Sequence, residues 1–182
     1  MYAILRFVGL MNAAVWLGGA VFFSCVAAPA IFQPAMKRLF HPYYIGLVAQ
    51  LMQERYFLFH LACGGIALLH TAGYWLLRRR ESQRVMLSVL AAICVLNLAG
   101  TFLLLPTMKS LFQTEQTAPT QVQRDQAKAA FFRWHGVTQS FNLVIMGGLV
   151  FYVWRMAAPT VENRYGKSNP FAPSSTNAER VG

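Results

Sequence analysis

Apolar residues in this chain gather into four long runs, at residues 3–28, 56–77, 85–105 and 131–155, separated by stretches that hold most of the charge. A helix that crosses a bilayer takes about 20 predominantly apolar residues. Inside hydrocarbon every backbone N–H and C=O has to be paired within the segment, so each run is predicted to be an α-helix. Pro106 is predicted to stop the third run. The connection at 29–55 is broken by Pro34 and Pro42, and its "YYIGLVAQLMQERYF" reads as a helix lying at the membrane interface before turning into the second run. Before the fourth run, Pro119 and Thr120 mark the start of a helix that continues unbroken into it. The predicted fold class is all-α: an integral membrane four-helix bundle with short interfacial or extramembrane helical extensions before spans two and four. Residues 1–155 form this domain. Residues 156–182 are rich in Ser, Pro and Asn and are predicted as a disordered polar tail on the cytoplasmic side.

Composition agrees with that reading. Of 182 residues, 56% are hydrophobic and 12% charged, whereas a soluble domain carries about 25% charged residues. The formal net charge is +10. Nucleic acid is not the expected partner, because Lys and Arg mark the ends of apolar runs rather than a soluble surface patch; anionic lipid headgroups fit better. "RRRESQR" at 78–84 is a short basic link. The positive-inside rule puts it in the cytoplasm with both termini, in a bacterial inner membrane. "VAAPA" at 26–30 has the small residues of a signal-peptidase site. The run before it is longer than a signal core of about 7–15 residues, so the first helix is expected to be retained. Cys25, Cys63 and Cys94 lie in or beside apolar runs without a CxxC, and read as small apolar fillers.

The polar residues inside the runs carry the candidate chemistry. His60 and His135 lie early in the second and fourth runs, about 7 Å and about 3 Å along the helix from Arg55 and Arg133. Asn97 is about 20 Å from Arg84 and Asn142 about 14 Å from Arg133, which puts both near the midplane of a hydrocarbon core about 30 Å thick. Asn12 and His70 define an inner layer. Along the fourth run His135, Thr138, Gln139 and Asn142 share one helix face, read as a polar stripe directed into the bundle. Such groups usually bond across a bundle, and a stripe this long is more than one contact requires. Imidazole can also ligate metal, so His60 and His135 are candidates for holding haem iron or copper between two helices.

Gly18, Gly19, Gly64, Gly65, Gly147 and Gly148 are expected at tight helix crossings. Trp16, Trp75, Trp134 and Trp154 are mostly near run ends and read as interface anchors. No acidic side chain lies within any run, which disfavours a carboxylate-coupled proton pump. HExxH, GxSxG and GxGxxG are absent, so metalloprotease, serine hydrolase and dinucleotide chemistry have no support.

"MNAAVWLGGAVFFSCVAAPAIF" at 11–32, "YYIGLVAQLMQERYF" at 43–57 and "WHGVTQSFNLV" at 134–144 resemble the TMEM205-like family of small four-helix membrane proteins, a domain of unknown function. The likeness covers residues 5–155. Its pattern falls on Trp16, Gly18, His135, Thr138, Asn142 and Leu143, with Thr138 where serine is expected and Trp134 where leucine is expected. The resemblance implies four spans and a membrane location, and it names no substrate. A looser likeness to copper-resistance membrane domains implies metal handling. Three functions stay open. One is binding or conducting a small molecule or ion through the intrabundle polar site, with a homo-oligomer if transport is involved. The second is haem or copper binding through His60 and His135. The third is a structural or assembly role without a ligand.

Overall fold

A computed structural model describes residues 2–78 and 81–158. Arg79, Arg80 and the tail beyond Ala158 lie outside the described residues. The elements are α1 (Tyr2–Phe22), α2 (Ala28–Ile31), α3 (Pro34–Leu39), α4 (Pro42–Arg78), α5 (Glu81–Ala99), α6 (Leu105–Thr117) and α7 (Gln121–Ala157). Five-residue π-helical turns at Phe23–Ala27 and Gly100–Leu104 join α1 to α2 and α5 to α6. No strand occurs among the described residues. Four helical stretches are long and apolar enough to cross a membrane: Ile4–Leu39, Pro42–Leu76, Gln83–Thr117 and Gln121–Ala157. These are the four spans, as the apolar runs predict.

The first span packs on the second and fourth, and the third packs on the same two. Consecutive spans run antiparallel in a ring. Arg6 Nη2 donates to the Ala158 carbonyl at 3.4 Å, so α1 begins where α7 ends. Toward the opposite end, Lys109 Nζ lies 2.7 Å from Glu54 Oε2 and ties the third span to the second. Trp16, Leu90, Leu149 and Tyr152 are central to a continuous apolar core. The outward surface is apolar as well, with Phe7, Leu69, Leu76 and Leu143 exposed. That is the pattern of a bundle solvated by lipid.

α4 and α7 each contain 37 residues. At 1.5 Å per residue each is about 55 Å long, well beyond a hydrocarbon core of about 30 Å. The stretch expected to lie at the interface and turn instead runs straight into the second span as the first turns of α4. It contains no breaker apart from Gly46, where the Phe112 ring of α6 fills the place of a side chain. The expected start of α7 is found. Thr120 is its cap and accepts from the Gln123 N–H at 3.4 Å.

Pro106 does not stop the third span. The helix slips instead: the Leu105 N–H reaches back five residues to the Gly100 carbonyl. The same device precedes Pro29, where the Ala28 N–H reaches the Phe23 carbonyl. Proline lacks an N–H, and its ring presses on the carbonyl four residues back. A π turn widens the helix at that point and moves the ladder by one residue. Leaving the helix would cost several kcal/mol for each unpaired backbone group in lipid, so the slipped ladder wins.

The glycine pairs divide. Gly19 packs under Phe59, Gly64 against Cys94 and Trp16, and Gly148 against Ile93, while Gly18, Gly65 and Gly147 have open space where a side chain would stand. Neighbouring helical residues point about 100° apart, so only one of each pair meets a helix. Gly100 also lies under the Phe57 ring. Trp16 is no interface anchor. It is fully buried in the core.

Candidate functional site

The first span brings Trp16 and Ser24 toward α4, which carries Tyr56 and His60 one helical turn apart. Trp16 Nε1–H donates to His60 Nδ1 at 3.0 Å, and both residues are 0% exposed. A ring nitrogen that accepts a hydrogen bond carries no proton, so the neutral imidazole holds its proton on Nε2. Nε2 is buried and makes no hydrogen bond. The Tyr56 ring stands edge-on to the imidazole at 4.3 Å and stacks on Phe23 at 4.1 Å.

Tyr56 also joins the fourth span. Its hydroxyl donates to Asn142 Oδ1 at 2.7 Å, and Asn142 Nδ2 donates to Ser24 Oγ at 2.8 Å. Three helices are thus held by one tyrosine, one amide and one hydroxyl. Ser24 sits inside the π turn before Pro29, and the local widening of the helix helps set its position. Tyr56 and Ser24 escaped the sequence reading because aromatic and hydroxyl residues are common in spans, and Trp16 was read as an interface anchor. The serine five residues before a proline was the available signal.

The expected His60–His135 pair does not form. His135 is exposed, stacked parallel to Phe131 at 6.3 Å with Gln139 Nε2 3.4 Å from its Nε2. Haem iron or copper does not fit His60 either. The Nδ1 lone pair takes the Trp16 N–H, and Nε2 is occupied by its own proton, so neither nitrogen is free to ligate. Among the described residues no three His, Cys, Asp or Glu side chains gather as metal ligands.

The stripe on the fourth span also separates. Thr138 is buried, donating to the Trp134 carbonyl at 3.0 Å with Met108 Sδ 3.4 Å away, and Asn142 faces the bundle. His135 and Gln139 face outward. The four positions straddle the edge of the buried face, so a shared helix face did not mean a shared environment. Asn97 and Asn142 do not meet as hydrogen-bond partners: Asn97 Nδ2 donates to the Ile93 carbonyl of its own helix at 2.9 Å, leaving Oδ1 buried without a partner.

Asn12 and His70, read as an inner polar layer, each bond to a backbone carbonyl across the first two spans. Asn12 Nδ2 donates to the Cys63 carbonyl at 3.0 Å, and His70 Nε2 donates to the Leu5 carbonyl at 2.8 Å. Buried Thr71 and Tyr152 belong to the same region. Trp16 lies between this layer and the outer one, its ring 6.4 Å from Tyr152 and 5.9 Å from His60.

Beside the outer layer an open groove of about 400 Å³ runs between the first and second spans. Phe22, Phe23, Tyr56, Phe59 and Met52 line it, with Arg55 at its margin. The neighbouring Glu54 is already engaged by Lys109. The Arg55 guanidinium makes no close ion pair among the described residues, although its charge is felt by the Glu54 carboxylate beside it, and it stands at the aromatic trough.

No curated protein and no solved structure matches the chain. Residues 11–116 match a family described as a domain of unknown function (DUF4149). The matched stretch runs from the first span through α6, and so contains Trp16, Ser24, Arg55, Tyr56, His60 and Asn97. With more than half of its length inside that match, this four-span chain belongs to the DUF4149 family.

Proposed function

We propose that this protein is a non-enzymatic membrane protein that binds an anionic amphiphile of the bilayer in the groove between its first two spans. The apolar body of the ligand lies against Phe22, Phe23 and Phe59, and its charged head pairs with Arg55. The observation that carries this reading is a guanidinium without a close ion-pair partner among the described residues, beside an aromatic groove of about 400 Å³. That volume falls within the range of about 300–1,000 Å³ typical of small-molecule sites. Arginine suits a phosphate or carboxylate head because its planar fork donates two parallel hydrogen bonds. Tyr56 forms part of the groove wall, held in place by Asn142 and Ser24 from behind. On this reading Asn12, His70 and Thr138 fasten the bundle rather than touch the ligand. Conduction is left out because fully buried Trp16 separates the outer polar layer from the inner one. The likeness to TMEM205-like proteins is compatible, since it too implies four spans and names no ligand.

The test is native mass spectrometry of the full chain released from mixed phosphatidylglycerol and phosphatidylcholine micelles. Wild type is expected to retain phosphatidylglycerol preferentially. Arg55→Ala is expected to weaken that retention by roughly 10- to 150-fold, the equivalent of a charge-assisted bond of about 1.5–3 kcal/mol. Equal retention of both lipids by wild type, or no change in Arg55→Ala, overturns the proposal.

A further inference from the structure

A second site lies inside the bundle, where α4 crosses the third span. Two contacts fix the register of that antiparallel crossing: Phe57 lies over Gly100, and Gly64 lies against Cys94. A step forward on α4 is a step back on the third span. His60, one turn after Phe57, therefore lies opposite Asn97, one turn before Gly100. The two side chains are 0% and 1% exposed.

Each has one end tied and one end idle. His60 Nδ1 is held by the Trp16 N–H, and Asn97 Nδ2 is held by the Ile93 carbonyl. The idle atoms are His60 Nε2, which carries the imidazole proton, and Asn97 Oδ1, which can only accept. They make no direct hydrogen bond to each other. A buried donor and a buried acceptor, both fixed in direction and both unpaired, are costly to leave dry. From these atoms we infer that His60 and Asn97 hold one water molecule between them. The water accepts from Nε2–H and donates to Oδ1.

The chemistry of the pair selects this guest. A cation is repelled by the imidazole N–H. An anion is repelled by the amide oxygen, and no charged side chain stands by to offset it. A neutral molecule with both a lone pair and a proton satisfies both ends, and the close helix approach at Gly64 and Gly100 favours the smallest such molecule, water. The site is independent of the groove: it faces the third span, whereas the groove is walled by the first and second.

The test uses the full chain in lipid bilayers with ¹⁵N-labelled histidine. Solid-state NMR is expected to find the His60 proton on Nε2 and to detect magnetisation transfer from water to that proton. His60→Phe, Asn97→Leu and the double variant are then compared by thermal unfolding in detergent. Each single change orphans the water and the remaining partner, whereas the double change removes both polar ends. The double variant is expected to lose no more in Tm than the worse single variant. A proton on Nδ1, no transfer from water, or fully additive losses in Tm overturns the inference.

Discussion

Trp16 contributes through one atom as well as through its bulk. Trp16→Phe keeps most of the aromatic packing but removes the donor that satisfies His60 Nδ1. Leaving a buried acceptor unpaired costs about 1–3 kcal/mol. Denaturation of the purified chain is expected to show a loss of that size, while His135→Ala stays within about 0.5 kcal/mol because that side chain is exposed. Polar side chains in apolar runs were legible at this scale: His60, Asn97, Asn142, Asn12, His70 and Thr138 all turn toward the bundle. Their partners were not legible. Pairing depends on how far each helix is rotated, and only about 60° around the helix separates inward Thr138 from outward His135. Trp16 was misread because its nearness to the chain's start resembles an anchor, although the α1 face that it shares with Ala13 and Ala20 is fully buried.

Adjacent glycines give the helices a test at the level of the element. Gly18→Ala meets open space and exchanges a poor helix former for the best one, with a gain of up to about 1 kcal/mol. Gly64→Ala puts a methyl 2.7 Å from Cys94 Sγ and near the Trp16 ring. Overpacking of this kind costs about 1–3 kcal/mol. Circular dichroism melts of the two variants are expected to move in opposite directions. The number and order of the long helices were readable from hydropathy. The course of the third span past Pro106 was not, because the stop rule comes from chains that can hand loose backbone groups to water. Within lipid the cheaper answer is a shifted ladder, and both prolines that follow a π turn give it.

The molecule as a whole repeats one plan twice. A helix slips just before a proline, the chain turns, and an unbroken 37-residue helix returns. No repeat of sequence announces this, since lipid-facing positions accept any apolar residue. The plan puts the 117–121 turn at one end of the bundle and residues 6 and 158 at the other. With the native cysteines replaced, Thr117→Cys and Ala158→Cys are therefore expected to react with a membrane-impermeant maleimide from opposite faces of sealed vesicles. Labelling of both from the same face would contradict the up-and-down arrangement.

A helix that includes a proline has one carbonyl more than it has amides to serve it. α4 and α7 carry no proline after their first turn, whereas Pro29 and Pro106 interrupt the first and third spans. Those two spans stand diagonally across the ring. The bundle is thus built of two electrically quiet columns and two that each bear a local excess of partial negative charge, at the levels where their main chains run one proton short.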